Sequence, residues 1–593
     1  MKGLLLRVGV LVVALAGVLT VVVVARLVFS PVPPLPEGEA QPLEFDEARA
    51  VERLVGALAI HASDTADRVP DVEDRVPDAE ERERDAADSA SDAPDRLRAH
   101  LQDAFPRVHG TLQVEGLEGG PLLYTWEGAE PDTAPILLAV HDGIVPRSNG
   151  RSSAREGAAS LQEGAASLQE ATTSAQEPVV SNGEIRGPGV RGAPAVLMAT
   201  LEAVEGLLAE GVEPRQTILL VFSGVGAGED GVGSEAGSVV GSDAGAVARV
   251  LGERAIRPAW VLVGGAGSAT GLTTGLAPGI VDPVALVGVA ERGFVEIELT
   301  LASEAGVRDT GDAPEADEDE SAVAGPTRRY GRVEVGPIGQ RGEAGWGRVA
   351  LGPPAAVLAQ AVARLQEPFD ARIEGPGREL LETTAPHMDP GTRMLIRNLW
   401  LFRGSVERAL ARETGSMELV RTTATPTFIR AGIDDGADVE GDGAALARVR
   451  LHLAPWDSVD GVLETIRDRL RGLGVEVSVR DDVGPPLEPD PWNPASSARS
   501  SGSGNGYRGE GFQQIRAAVH HTFPDVIAVT PGVALTPTQG RHYRDVADAI
   551  YRFSPFRLQV PEPHTLRDQA ITERHYFGMV RFYGEVLRRG AEG

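Results

Sequence analysis

Two patterns of hydrophobic and polar residues alternate along much of this chain. The first is a short, unbroken apolar run, which occurs at Ile136–Val140, Thr217–Phe222, Ala259–Val263 and Pro283–Val289. Runs of this kind are typical of strands that are buried on both faces of a largely parallel sheet. The second is an apolar stripe with helical spacing, found at Ala195–Leu208 and Ala244–Arg254. Strands that alternate with helices in this way predict an α/β sandwich.

The pattern changes at Gly293, where strands with one polar face begin. Phe294–Leu301 alternates apolar and polar residues, which indicates a strand exposed on one side. The elements that follow are a helix at Pro353–Leu365, strands at Thr425–Ile429 and Ala447–Leu453, a helix at Val459–Leu470 and a strand at Val475–Val479. This βαββαβ order predicts a ferredoxin-like lid domain over about 293–481. We expect the α/β domain to occupy 97–292 and, after a linker at 482–510, to resume over 511–593.

An apolar run from Val8 to Ala25 follows Lys2 and Arg7 near the N-terminus. Its length is close to the ~20 residues that span a bilayer, whereas a cleaved signal peptide has an apolar region of ~7–15 residues. Residues 1–30 are therefore predicted to form a transmembrane helix, with a cleaved signal as the alternative. Positive charge before the run favours a cytoplasmic N-terminus. The chain is thus predicted to be membrane-anchored, with its bulk outside the cytoplasm.

Several segments are rich in charged or small polar residues and carry few large apolar ones. Residues 31–96 read as a Pro-rich and acidic linker with a short helical piece at Phe45–Ile60. Insertions of similar character occupy about 147–181, with two EGAASLQ repeats, and about 302–328, with the acidic run EADEDE. Such segments have little apolar surface to bury, so we expect them to be poorly ordered.

The charge of the chain restricts the partners it can have. The formal net charge is −30, and Lys2 is the single lysine among 56 basic residues. An acidic surface of this kind repels nucleic acid, so no nucleic-acid partner is expected. The chain contains no cysteine, which excludes disulfides, thiolate metal sites and a cysteine nucleophile.

Five short motifs, in this order and spacing, link the chain to a known family. They are Ile144-Val145-Pro146, Gly187-x-Gly189, Ala290-Glu291-Arg292-Gly293, Arg421-Thr422-Thr423 and Ile550-Tyr551-Arg552-Phe553. Over most of 97–587 the chain resembles the zinc carboxypeptidase family of aminoacylase, carboxypeptidase S and the N-fatty-acyl-amino-acid hydrolases. The resemblance implies a zinc-peptidase-like, mixed-sheet αβα sandwich with a ferredoxin-like lid. It also implies hydrolysis of N-acyl amino acids or of peptide C-termini.

The resemblance further implies which residues occupy the metal site. Family members hold two zinc ions with two histidines and three carboxylates, and a glutamate acts as general base on the bridging water. His141, at the end of the first buried strand, and His564 fall on the two histidine positions. The bridging aspartate falls on Gly192, and a second aspartate ligand falls on Val263. The family's Glu-Glu pair, which supplies the third carboxylate ligand and the base, falls on Ser223–Gly228, which contains no glutamate. The resemblance therefore implies that all three carboxylate ligands and the base are replaced.

Three other residues lie at or near positions of this site. Glu229 lies two or three residues beyond the position of the family's Glu-Glu pair and is the remaining candidate for the catalytic base. Arg541 is retained from the family's Thr-Asp-Ser-Arg motif and is a candidate for binding a substrate carboxylate. Ser223 lacks the Gly-x-Ser-x-Gly elbow of a serine nucleophile, which excludes it from that role.

Two functions of different class follow from this pattern. In the first, the chain is a membrane-anchored, catalytically degenerate carboxypeptidase-like protein that binds an acyl amino acid or a peptide. In the second, it is an active metallohydrolase that uses zinc, held by His141 and His564, with Glu229 as the base of a rearranged site. Two neutral imidazoles cannot balance the charge of two dications, which favours the first hypothesis.

Overall fold

The structure, a computed structural model, describes the chain in stretches separated by gaps. The described residues are 17–18, 20–23, 25–26, 41–67, 93–117, 120–141, 177–223, 243–265, 270–275, 280–302, 354–411, 420–431, 443–480, 486–490, 509–535, 537–559 and 570–592. The predicted insertions at about 147–181 and 302–328 lie almost entirely outside these residues.

The described strands form three sheets of ten, four and three strands. In chain order the strands are β1 (Gln113–Gly116), β2 (Leu122–Trp126), β3 (Ile136–Val140), β4 (Val179–Ser181), β5 (Glu184–Arg186), β6 (Ile218–Phe222), β7 (Trp260–Gly264), β8 (Leu272–Thr274), β9 (Val284–Glu291), β10 (Gly293–Ala302), β11 (Thr423–Ala431), β12 (Gly443–Leu453), β13 (Glu476–Val479), β14 (Ala528–Ala534), β15 (Ile550–Arg552), β16 (Arg557–Gln559) and β17 (Ala570–Thr572). The large sheet has the order β1-β2-β6-β3-β7-β15-β9-β8-β16, and β14 pairs with β9. Strands β6, β3, β7 and β15 are parallel, whereas β2 is antiparallel to β6, so the mixed sheet is confirmed.

Helices cover both faces of this large sheet. The helices are α1 (Glu47–Asp67), α2 (Ala93–Ala104), α3 (Pro106–Thr111), α4 (Ala193–Ala209), α5 (Asp243–Glu253), α6 (Pro354–Leu365), α7 (Gly375–Thr384), α8 (Pro390–Arg397), α9 (Leu399–Leu410), α10 (Val459–Leu470), α11 (Glu510–Thr522) and α12 (Glu573–Glu592), and 3₁₀ turns occupy Ala385–His387 and Gln539–Tyr543. Alternate residues of β3 enter different cores. Ile136 and Leu138 pack with α4, α11 and α12, while Leu137 and Ala139 pack with α5. Burial on both faces explains why these strands are apolar at every position.

The four-stranded sheet is separate from the large one and has the order β11-β12-β10-β13. All of its pairs are antiparallel. Its core joins Ile297 of β10 to Leu358 of α6 and Ile466 of α10. Strand order and helix placement are those of the predicted ferredoxin-like βαββαβ unit, and we refer to this sheet with α6 and α10 as the lid.

Helices α7 to α9 interrupt the chain of the lid but do not join its core. Leu380 of α7, Ile396 of α8 and Val406 of α9 share an apolar cluster with Leu286 of β9 and Ala528 of β14. These helices therefore pack on the large sheet, although they fall within the range predicted for the lid.

Helix α1 lies in the range that was predicted to be a linker, yet it belongs to the main core. Leu54 and Leu58 are fully buried in the cluster that also contains α4. Arg53 reaches Glu202 of α4, and its Nη1 atom lies 2.8 Å and 2.9 Å from the two carboxylate oxygens.

The predicted N-terminal membrane anchor is contradicted. Among the described residues, none of the helices has both the length and the apolar character that crossing a bilayer requires. The helical residues described from the apolar run lie between 17 and 26. The predicted location outside the cytoplasm, which depended on that anchor, loses its support as well.

The buried Arg53–Glu202 pair predicts a large cost when one partner is removed. Burial raises the pKa of Glu202 even against the opposing effect of Arg53. The carboxylate therefore loses more by leaving water than the contact with Arg53 returns. Glu202→Ala leaves the guanidinium without its partner and should lower the free energy of unfolding by about 3–5 kcal/mol. Urea unfolding measures this loss.

The exposed pair between Arg254 and Glu115 provides the control. Its side chains are 43% and 49% exposed, and its closest N–O distance is 2.7 Å. Glu115→Ala should cost about 0–1 kcal/mol, because water replaces the lost partner. Equal losses for the two variants would contradict the assigned role of burial.

Candidate functional site

Three neighbouring parallel strands end together and bring polar groups to one edge of the large sheet. His141 follows β3, Ser223 follows β6 and Gly265 follows β7. The backbone continues the pairing at this edge, since His141 N donates to Gly264 O at 3.1 Å and Ser223 N donates to Val140 O at 3.1 Å. The carboxyl edge of such strands is where open α/β sheets place their ligands.

His141 is buried and hydrogen-bonded at both ring nitrogens. The residue is only 2% exposed. Nδ1 lies 2.5 Å from Ser223 Oγ, and Nε2 lies 2.8 Å from the hydroxyl of Tyr543. The ring also stacks on Tyr543, with centroids 5.8 Å apart. A neutral imidazole has one donor and one acceptor nitrogen, so one hydroxyl accepts from the ring and the other donates to it.

The surroundings of His141 keep it uncharged. Burial lowers its pKa to about 3, and the neighbouring His542 acts in the same direction. Desolvation disfavours the imidazolium because the surroundings solvate a charge less well than water does. His141 is therefore neutral across the physiological pH range.

Gly192 and Val263, the two positions at which the resemblance predicts aspartate ligands, have no side-chain ligand atom. Gly192 precedes α4 with φ −131°, a backbone conformation open to any residue, so backbone geometry does not explain the glycine. Val263 is 5% exposed and shares an apolar cluster with Tyr543. Gly265 has φ 131°, and a Cβ atom there would collide with the carbonyl oxygen of His141. Glycine is required at this last position.

The described residues do not fit a zinc centre. In the part of the chain that the structure describes, no group of three or more His, Asp or Glu side chains is placed to hold a metal ion. Zinc sites use three or four protein ligands, and both nitrogens of His141 already bond to hydroxyls. Glu229 and His564, the other two residues predicted for a metal site, lie outside the described residues.

Arg541, predicted to bind a substrate carboxylate, is placed in an internal ion pair. Its Nε and Nη2 atoms donate to Oε1 of Glu291 at 2.8 Å and 2.5 Å. Glu291 is fully buried, and its Oε2 accepts from Thr538 Oγ1 at 2.7 Å and from Arg552 Nε at 2.9 Å. Arg552 also reaches Asp490, with Nη2 2.5 Å from Oδ2. Sequence analysis assigned no role to Glu291 or Arg552, although both stand in motifs that it singled out.

Fold and site together define an α/β protein with a mixed sheet, an inserted lid and a histidine at the carboxyl edge of its parallel strands. Relatives among known proteins give the family. The chain is 25% identical, over 502 residues, to a probable carboxypeptidase S-like 2 of Dictyostelium discoideum, a match that covers 84% of this chain and 79% of that protein. It is 24% identical, over 497 residues, to the N-fatty-acyl-amino acid synthase/hydrolase PM20D1 of Bos taurus, covering 83% and 81%.

The chain is thus a homologue of the carboxypeptidase S-like and N-fatty-acyl-amino acid synthase/hydrolase proteins, which confirms the resemblance drawn from its motifs. Among solved structures, human carnosine dipeptidase 1 aligns with a TM-score of 0.47 and 12% identity, over 93% of this chain and 100% of that one. No family model matches the chain.

The neutral state of His141 predicts a specific pH dependence of stability. Its pKa of about 3 in the folded chain lies below the unfolded value near 6.5. The contribution of the neutral ring is therefore present above about pH 6.5 and is lost as the pH falls toward the folded pKa. His141→Gln should make the free energy of unfolding less steep in pH over this window, as followed by denaturant titrations.

Ser223→Ala is the matched control, because it removes one hydrogen bond to the same ring but keeps the imidazole. It should retain the slope of the unmodified chain. Parallel pH profiles for His141→Gln and the unmodified chain would show that His141 does not titrate as described.

Proposed function

We propose that this chain is a catalytically degenerate homologue of the carboxypeptidase S-like hydrolases and acts by binding a ligand rather than by hydrolysing it. The observation that supports this most directly is the state of His141. Both of its ring nitrogens are hydrogen-bonded to side-chain hydroxyls. A metal-ligating histidine leaves one nitrogen for the metal and donates from the other to a carboxylate, carbonyl or water.

Charge balance gives independent support. Two close zinc ions need carboxylates around them, because their mutual repulsion is weakly screened inside a protein. Gly192 and Val263 stand where the related family has aspartates, and neither can supply an oxygen ligand. Without carboxylates at these positions, a site with a neutral histidine has no negative charge there to balance two zinc ions, so it does not suit a dinuclear centre.

The relatives indicate the chemical class of ligand. One of them is named for N-fatty-acyl-amino acids and another for carboxypeptidase S. We propose that the chain binds an N-acyl amino acid or the C-terminal part of a peptide at the carboxyl edge of the parallel strands. In this proposal a group other than Arg541 receives the ligand carboxylate, since Arg541 already donates through two atoms to Glu291.

An active metallohydrolase is the competing function and makes opposite predictions. It needs Glu229 and His564 to approach His141, and it needs the bond between His141 and Tyr543 to open. Activity would then depend on metal and would be lost on His564→Ala.

The metal content of the purified full-length chain tests the proposal. We expect well under one zinc per chain by elemental analysis after dialysis against buffered zinc, and no release of amino acid from N-acyl amino acids or dipeptides. Loss of the general base alone removes a rate factor of about 10²–10⁴. The bovine N-fatty-acyl-amino acid synthase/hydrolase, purified in parallel, is the positive control. Two tightly bound zinc ions, or metal-dependent turnover, would overturn the proposal.

Ligand binding is measured on the same preparation by thermal unfolding with an N-acyl amino acid. A ligand at about 100 times its Kd stabilises the folded chain by about 2.7 kcal/mol, which raises Tm. The corresponding acyl amide, which lacks the carboxylate, should raise Tm less. No stabilisation by N-acyl amino acids or by peptides would remove the binding role while leaving the absence of metal untouched.

A substitution at Val263 tests for a latent metal site. Val263→Asp returns a carboxylate to the aspartate-ligand position, but the side chain lies in an apolar cluster. It should lower the free energy of unfolding by roughly 3 kcal/mol or more, and added zinc should not restore the loss. Val263→Asn has the same shape without the charge and should lose stability equally with and without zinc. Rescue of Val263→Asp alone by zinc would reveal a metal site.

A further inference from the structure

Two of the segments in which the chain passes between the large sheet and the lid lie side by side. The outgoing segment runs from Glu291, the last residue of β9, to Phe294 in β10. The returning segment, 486–490, pairs antiparallel with it through bridges between Glu291 and Asp490 and between Phe294 and Leu487. Four backbone hydrogen bonds of 2.8–3.0 Å join the segments. A Cβ atom on Gly293 would lie 2.6 Å from Leu487 O, so only glycine permits this approach. We call the two segments the hinge.

Arginines from outside the hinge hold two of its carboxylates, those of Glu291 and Asp490. Arg552 of β15 donates to Glu291 and to Asp490, and thus connects the outgoing and the returning segment. Arg541 donates to Glu291, and Arg544 lies 2.7 Å from Asp490 Oδ1. The side chains of Arg552 and Glu291 are 1% and 0% exposed. Buried charges of this kind hold their geometry, because an unpaired charge there is costly.

The short turn that carries Arg541, and that Arg544 directly follows, also carries Tyr543, which is bonded to His141. The 3₁₀ turn Gln539–Tyr543 has about three residues per turn, which places residues i and i+3 on the same side. Arg541 and Arg544 are spaced in this way, and both face the hinge carboxylates. Tyr543 points elsewhere, to His141 Nε2 at 2.8 Å. One turn therefore contacts the hinge on one side and the cleft histidine on another.

Packing leaves the turn little freedom to move on one side alone. Tyr543 is fully buried and lies in the same apolar cluster as Val263 at the end of β7. Thr538, which precedes the turn, accepts from Gly540 N at 3.2 Å and donates to Glu291 at 2.7 Å. A shift of either hinge carboxylate is thus transmitted through Arg541, Arg544 or Thr538 to the backbone of the turn.

We propose that the turn Gln539–Tyr543 couples the orientation of the lid to the state of His141. When the hinge moves, the turn moves with it and Tyr543 releases the imidazole. When the bond between Tyr543 and His141 is lost, the turn no longer holds the hinge in one position. The coupling is reciprocal, as linkage requires. It concerns the conformation of the chain and does not depend on which ligand the chain binds.

The test breaks each end of the connection and reads the other end. Tyr543→Phe removes only the hydroxyl at the cleft, and the lid is then followed by pulsed electron resonance between spin labels at Glu464→Cys in α10 and Glu253→Cys in α5. Both residues are exposed, and the chain has no other cysteine. We expect a broader or displaced distance distribution. Arg544→Gln removes one hinge contact, and we expect faster carbethoxylation of His141, measured by peptide mass spectrometry.

Two variants control for nonspecific loosening. Tyr551→Phe removes a hydroxyl from β15, where the ring packs on Trp260 and Phe512. Arg557→Gln breaks the exposed pair with Asp525. Neither should change the label distance or the reactivity of His141. Circular dichroism confirms folding of each variant, and if Tyr543→Phe does not fold, Arg544→Gln carries the test, because its side chain is 49% exposed. An unchanged distance in folded Tyr543→Phe, or unchanged reactivity of His141 in Arg544→Gln, would overturn the proposal.

Discussion

The guanidinium group of Arg552 connects two of the chain segments that join the lid to the large sheet. It is buried between Glu291 and Asp490, at N–O distances of 2.9 Å and 2.5 Å. A buried ion cluster contributes little net stability, since the hydration that its members lose offsets much of their attraction. What it supplies is geometry, because planar guanidinium donors meet carboxylates in fixed directions. That geometry helps to fix the position of the lid segments at the large sheet and, through Glu291 and Arg541, the position of the 3₁₀ turn that carries Tyr543.

Both ring nitrogens of His141 have hydrogen-bond partners without a metal. A buried neutral imidazole needs one acceptor and one donor, and the hydroxyls of Ser223 and Tyr543 can provide both. Such a cluster has no net charge, so it requires no carboxylates nearby. In the proposed function, the hydroxyl partners of His141 and the absence of side-chain carboxylates at Gly192 and Val263 agree with each other, because a neutral cluster needs no negative charge around it.

Much of the fold could be predicted from the sequence, because a strand that is buried on both faces has an unbroken run of apolar residues. His141 directly follows one such run, which placed it at the end of a strand. The partners of these residues could not be predicted, since Tyr543 lies 402 positions from His141 and Arg552 lies 261 positions from Glu291. The assignment of Arg541 to a substrate carboxylate came from a motif, and a motif does not show that an internal carboxylate is already bound to the arginine.

Two other differences have physical causes of the same kind. Helices α7 to α9 fall between elements of the lid in sequence, so chain order alone placed them there, whereas their apolar residues fit the face of β9 and β14. The N-terminal run was interpreted from its length and apolar composition. Those properties alone predicted a membrane-spanning helix, which the described residues do not contain.

The excursion of α7 to α9 changes how the lid is attached. Phe369 packs on the lid core and Ile373 on the cluster beside the large sheet. Val420 belongs to that second cluster, and Ala424 packs again on the lid core. The chain therefore crosses between the two bodies near these residues as well as at Gly293 and in 486–490. A body fastened by two pairs of crossings at separate places resists twisting about either pair. We expect the lid and the large sheet to unfold together, because loss of one core disturbs the chain segments that continue into the other. We therefore expect the lid to change its orientation only slightly about the hinge, and not to move as an independent module.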